Sequence, residues 1–315
     1  MIDQLIKNII NKKNPTVVGL DTCLDYIPSF LIQKYVNANE FNFYGASQAI
    51  IEFNKTIIDA VCDLIPAVKI QVAYYELYGV EGIRAFYETI NYAKSKDLIV
   101  IGDVKRNDID STARAYSSAY LGKTKLLHNE DRAFVTDCIT INPYLGFDGV
   151  KPFLDDCKEY NKGVFILVKT SNPSSGDFQD LISGDKRIYE IVADKVKAWG
   201  QDLLADYGYS QVGAVVGATY PSQGIALRQR MPNTFFLVPG YGAQGGGVAD
   251  IIGCFDNRGL GAVINASRSI ICAYNREPWK QKYDDHGFAE AARAEVISMK
   301  NDIESGLFQN GMKPW

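Results

Sequence analysis

Short, apolar, β-branched runs recur along the chain, spaced to leave room for a helix between neighbours. Eight of them read as strands: TVVGLD (16–21), AVKIQVA (67–73), LIVIGDVK (98–105), CITINP (138–143), GVFILVKT (163–170), VGAVVGAT (212–219), TFFLVPG (234–240) and AVINAS (262–267). Their hydrophobicity is nearly continuous, as expected of parallel strands covered on both faces. Helical spacing of apolar residues predicts helices over 47–63, 79–93, 108–120, 186–205, 221–230 and roughly 288–305, and Ile2, Leu5, Ile6, Ile9 and Ile10 give the N-terminus the same period. Strand–helix alternation with this count predicts an α/β fold, a closed (β/α)8 TIM barrel formed as one domain over 1–315. An open doubly wound sheet is the alternative. It would carry a Gly-x-Gly-x-x-Gly turn after its first strand, whereas Val18 is followed by Gly-Leu-Asp-Thr-Cys.

Composition changes this picture little. The 315 residues are 47% apolar and 22% charged with a formal net charge of -4, which argues against a broad basic footprint for nucleic acid. Six cysteines, at 23, 62, 138, 157, 254 and 272, form no Cys-x-x-Cys pair, and only His128 and His286 could supplement them, so no metal site is expected. Cys62, Cys138, Cys254 and Cys272 fall in apolar runs and read as small buried hydrophobes, which favours a reducing compartment. No run of about 18 apolar residues suggests a membrane span, and the N-terminus lacks a secretory pattern. A cytoplasmic location is expected, with no membrane partner.

Active sites of such barrels form at the C-terminal strand ends. Here those ends, or their neighbours, offer Asp21, Lys69, Asp103, Lys105, Asn142, Lys169, Gly240 and Arg268, more polar groups than packing alone would call for. Residues two apart in a strand share a side, so Asp103 and Lys105 are both expected to face the mouth. Asp108 should follow at a helix start, where a carboxylate suits capping and the dipole, and Lys69 should bracket Asp103 from the neighbouring strand. The triplet Asp-x-Lys-x-x-Asp is weak alone: with Asp and Lys each near ~6% of residues, about one chain in fifteen of this length holds it by chance. Its place at the end of the third strand, beside Lys69, gives it force.

A second group of residues suits phosphate. The loops after strands seven and eight commonly bind it in these barrels. The seventh runs into VPGYGAQGGG (238–247), whose glycines, Gly245 among them, allow backbone amides to approach an anion. The eighth supplies Arg268 for charge-assisted bonds to phosphate oxygens. Gln244 is placed to reach from the glycine loop to the ligand, and Pro239 to form an apolar wall. After strand five, the turn-rich TSNPSSGD (170–177) presents Ser171, suited to hydrogen-bond a heterocycle but equally suited to a plain turn.

With these segments in hand, the chain resembles the orotidine 5′-phosphate decarboxylase family from GLD (19–21) through VKIQVAYYE, GDVKRNDIDSTARAY, INPYLGFDG, ILVKTSNPSS and PGYGAQGGG to NASRSI. The Lys-Arg-Asn-Asp-Ile form is similar to the longer-chain subgroup. The resemblance implies that Lys69, Asp103, Lys105 and Asp108 are a catalytic network, that Asp21 binds ribose, that Ser171 contacts the pyrimidine, and that Gln244 and Arg268 contact phosphate. It also implies that Asp108 and Thr112 reach into a partner subunit's site, hence an obligate homodimer with shared sites. Gln71 stands where relatives often carry a different amide. The implied reaction converts orotidine 5′-phosphate to UMP and carbon dioxide, the last step of de novo pyrimidine nucleotide synthesis, with no cofactor.

Two other readings predict different residues. A magnesium-dependent phosphosugar enzyme of the same barrel type resembles the charged motif but would hold its ion on an acidic residue after strand two, where this chain has Gln71-Val-Ala-Tyr. A non-catalytic UMP-binding barrel would have lost a member of the charged tetrad, and all four are present.

Overall fold

The computed structural model describes residues 1–36, 41–242 and 247–315. Eight parallel strands close into a barrel: β1 (Thr16–Gly19), β2 (Ala67–Gln71), β3 (Ile99–Arg106), β4 (Cys138–Ile141), β5 (Gly163–Lys169), β6 (Ser210–Val216), β7 (Thr234–Pro239) and β8 (Ala262–Ala266). Each pairs with its sequence neighbours, and β1 pairs with β8 to complete the ring. All eight strand segments expected from the sequence are present, most of them a residue or two shorter.

The near-continuous hydrophobicity of the strands has two destinations. Val17, Ala67, Ile99, Ile101, Cys138, Phe165, Phe235 and Val263 fill the barrel interior. Their neighbours Val18, Val68, Val100, Ile139, Val164 and Ile264 point outward against the helices. Alternation is therefore intact, but both faces are apolar, as a barrel wrapped in helices requires. The N-terminal helix Ile2–Lys12 turns Ile2, Leu5, Ile6 and Ile9 into the interior cluster and stoppers the end of the barrel where the strands begin.

The C-terminal helix Phe288–Gln309 packs on the outside against helix Phe43–Val61, where Phe288 stacks on Phe53 with ring centroids 5.0 Å apart. It supplies the covering layer beside β1. No described helix is long and apolar enough to cross a membrane. Cys138, Cys157 and Cys254 are buried, whereas Cys62 and Cys272, expected inside, are only half-buried, and all six cysteines are free.

Two local expectations need correction. The helix expected over 186–205 runs Ile188–Trp199, because Gly184 at φ 67° turns Lys186–Arg187 back into a hairpin with Ile182–Ser183. A 3-10 turn, Gln201–Leu203, follows it. Asp108 does not cap a helix: the next one runs Asp110–Tyr120, and the Asp108 side chain instead accepts from the Ile109 amide at 2.9 Å. The chain enters that helix through Asp110 at φ 45°, a left-handed residue that delays the start. Helix Phe147–Tyr160, unnamed in the sequence reading, carries Pro152 within its apolar pattern.

Candidate active site

The C-terminal mouth encloses a cavity of about 590 Å³ lined by Asp21, Lys69, Asp103, Lys105, Ser171, Pro239 and Arg268, among others. Seven of the residues proposed from sequence therefore meet in one place. They come from the ends of six different strands, as the parallel register requires: Gly19 lies opposite Lys69, Gln71 opposite Asp103, and Pro239 opposite Asn265.

The charged side is a continuous chain. Lys69 Nζ donates to Asp21 Oδ1 at 3.1 Å and to Asp103 Oδ2 at 2.9 Å, and Lys105 Nζ donates to Asp103 Oδ1 at 2.7 Å. Two more donors complete the shell of Asp103: Gln71 Nε2 reaches Oδ2 at 3.0 Å and Thr140 Oγ1 reaches Oδ1 at 2.8 Å. Four donors around one buried carboxylate meet its hydrogen-bonding capacity and keep it ionised. Burial alone would raise the Asp103 carboxyl, but the ammonium groups of Lys69 and Lys105 outweigh it and hold the group below the ordinary carboxylate range. Burial pulls the Lys69 ammonium down, and Asp103 with Asp21 more than reverses this, so its value lies above that of a free lysine.

Local backbone accounts for the placement of Lys105. Between the pairs Gly102–Ile139 and Arg106–Ile141, β3 advances four residues while β4 advances two. The extra length forms a bulge, and within it Lys105 adopts φ 44°. Strand alternation led to the right side for Asp103 and Lys105, but the bulge, not a regular strand, delivers Lys105.

Across the ring, the chain after β7 passes through Gly240 and Gly242, both at positive φ, and Arg268 follows β8. Arg268 lines the cavity, and its guanidinium makes no hydrogen bond or ion pair among the described residues, a group suited to an anion. Gln244 and Gly245 lie outside the described residues.

The loop after β5 forms the third wall. Ser171 sits beside Gly217 so closely that a β-carbon there would come within 2.9 Å of the Ser171 backbone. Gln179, also in the cavity lining, accepts from the Thr170 amide at 3.0 Å and donates to the Thr170 hydroxyl at 2.7 Å. Lys169, counted from sequence among the strand-end groups, does not line the cavity. Fully buried, it bonds both oxygens of Asp180 at 3.0 Å and Ser175 Oγ at 3.2 Å, tying down the loop that carries Ser171. Asp108 and Thr112 do not line this cavity either; Asp108 is half-buried and Thr112 exposed.

Sequence reasoning missed Thr140, Gln179, Asn265, Ser267, Tyr74 and Tyr241, all of which line the cavity. Thr140 and Asn265 sit inside strands already assigned, so their inward alternation was the available signal. Gln179 and Tyr241 had none beyond proximity to motifs.

A closed barrel with lysine–aspartate pairs on one side of its mouth and an arginine on the other is of the class that binds small anionic ligands for acid–base chemistry. The chain belongs to the orotidine 5′-phosphate decarboxylase / HUMPS family, whose pattern matches residues 48–282. A Caldicellulosiruptor bescii protein named orotidine 5′-phosphate decarboxylase is 45% identical over 305 residues, covering 97% of this chain and 98% of its own length. One of the same name from Clostridium tetani is 43% identical over 304 residues, covering 96% and 97%. Among solved structures, the Leishmania donovani OMP decarboxylase superposes with a TM-score of 0.69 at 28% identity, covering 95% of this chain and 98% of that one.

Proposed function

We propose that the chain, acting as one unit over its whole length, decarboxylates orotidine 5′-phosphate to UMP and carbon dioxide, and that Lys105 carries the proton. The observation that supports this most is the Asp21–Lys69–Asp103–Lys105 chain, joined by contacts of 2.7–3.1 Å at one side of a cavity whose far side offers Arg268. Breaking the bond from ring C6 to the carboxylate leaves an electron pair in the ring plane, outside the π system. Carbon dioxide departs, the Lys105 ammonium stabilises the pair, and one of its protons moves to C6. Lys105 regains a proton from solvent.

Other groups bind. Arg268, with Gln244 and Gly245, holds the phosphate; Asp21 takes a ribose hydroxyl; Ser171 hydrogen-bonds the pyrimidine; Pro239 supplies an apolar wall. Binding energy at the phosphate helps hold the ring against the lysine, where the chemistry uses it. This chemistry needs neither cofactor nor metal.

The working unit in this reading is a cytoplasmic homodimer. Asp108 and Thr112 stand outside their own cavity, and the intervening Ile109 is an exposed apolar residue, so the three suit a contact in which Asp108 completes a neighbour's site.

The test is direct. An EDTA-treated sample is expected to consume the orotidine 5′-phosphate absorbance and yield UMP, and Lys105→Ala should abolish turnover while still binding UMP. A flat trace from the wild type would favour the magnesium enzyme or the UMP-binding barrel. Turnover by Lys105→Ala would overturn the assignment of the proton.

A further inference from the structure

Resting on the decarboxylation reading, we infer that Thr140 is a positioning residue for the Lys105 proton transfer. Its hydroxyl, which lies at the heart of the β3–β4 bulge, fixes both the backbone of Lys105 and the carboxylate that holds its ammonium. The bulge takes the Lys105 amide out of the strand ladder, since β3 has two residues more than β4 between paired positions. An amide taken out of the ladder needs another partner, and one is present at the part-buried bulge. Lys105 N donates to Thr140 Oγ1 at 3.0 Å.

The direction of every bond here is fixed. A carboxylate can only accept, so the single hydroxyl proton of Thr140 goes to Asp103 Oδ1 at 2.8 Å, and the hydroxyl lone pairs face the Lys105 amide. That same Oδ1 receives the Lys105 ammonium at 2.7 Å. Lys105 is thus gripped twice: at its backbone by Thr140, and at its ammonium by an oxygen that Thr140 also holds. With Thr140 only 1% exposed, water has no ready access to take its place. The left-handed backbone of Lys105, φ 44°, persists because this arrangement holds it.

The hydroxyl, not the bulk of the side chain, performs this task. Thr140→Val keeps the shape and removes the bridge; Thr140→Ser keeps the bridge and removes a methyl group. In the full-length protein, Thr140→Val is expected to lower kcat on the order of 100-fold, the scale of a reacting group misplaced by about 1 Å. The KM for orotidine 5′-phosphate and the Kd for UMP should stay within a few-fold, because the phosphate, ribose and pyrimidine contacts are untouched. Thr140→Ser should keep kcat within a few-fold of wild type.

Three results would overturn the inference: a Thr140→Val enzyme with near wild-type kcat, equal losses in the valine and serine variants, or a kcat loss matched by an equal loss of UMP binding. If the valine variant does not fold, Thr140→Ala takes its place with the same expectations, judged against the serine variant. A wild-type protein that fails to turn over orotidine 5′-phosphate would sink the decarboxylation reading itself. Turnover by the wild type with an unaffected valine variant would sink only the role of Thr140.

Discussion

Lys69 Nζ stands 2.9 Å from Asp103 Oδ2, a buried ion pair that joins β2 to β3. Lys69 also holds Asp21, so it is the only cation between two carboxylates in that stretch of the chain. Lys69→Met should therefore be the more damaging deletion, leaving Asp21 and Asp103 to face each other without it. Breaking a buried pair from one side costs about 3–5 kcal/mol. Asp103→Asn should cost less, since Lys69 keeps Asp21. Urea denaturation of the two variants gives the comparison, and equal midpoints would contradict it.

The same pair sets a pH dependence. Asp103 in the folded protein titrates below the unfolded aspartate value of about 3.9. Its contribution to stability is therefore complete above about pH 5 and falls away as pH drops through the folded value. Lys69 has the opposite sign: its folded value is raised, so its contribution is complete below the unfolded value of roughly 10.4 and is lost only as pH rises through the folded one. The stability gap between wild type and Asp103→Asn should be level across neutral pH and narrow on acidification below about pH 4. Denaturation midpoints across that range would show it, and a gap that widened on acidification would contradict the assignment.

Lys169 governs a wall of the site without touching it. Lys169→Met should leave Asp180 with a long 3.9 Å contact to Arg187 and loosen the 170–180 loop that presents Ser171 and Gln179. The expected result is a KM for orotidine 5′-phosphate raised about tenfold with a smaller change in kcat, the signature of lost uniform binding. Faster limited proteolysis within the loop should accompany it. Unchanged kinetics would mean that Ser171 is held by Gly217 packing alone.

Shared sites predict complementation. In a dimer of one Asp108→Asn chain and one Lys105→Ala chain, one site has both defects and the other neither. Equal random mixing should restore about one quarter of wild-type specific activity, since half the dimers are mixed and half of their sites are intact. Two inactive parents that stay inactive after subunit exchange would count against shared sites.

How far these features were legible varies with their physical origin. The eight strands declared themselves because a barrel strand is apolar on both faces and short, and Asp21, Lys69, Asp103, Ser171 and Arg268 follow from the rule that sites form at strand ends. The bulge that turns Lys105 inward leaves no sequence mark, since it depends on how β3 and β4 meet. Lys169 misled for the opposite reason: a charge at a strand end reads as functional, yet Asp180, eleven residues on, partners it in a loop whose path no periodicity reveals. Asp108 looked like a cap until the left-handed turn at Asp110 moved the helix start past it.

The helix Ile2–Lys12 gives the barrel a dead end. With Leu5, Ile6 and Ile9 seated among the interior side chains, the barrel is filled at the end opposite the mouth that carries the cavity. Nucleotide and gas therefore share a doorway. On the proposed chemistry, carbon dioxide released in this cavity leaves past the nucleotide or after it, so the traffic of a three-atom product depends on how the rim around a much larger one opens.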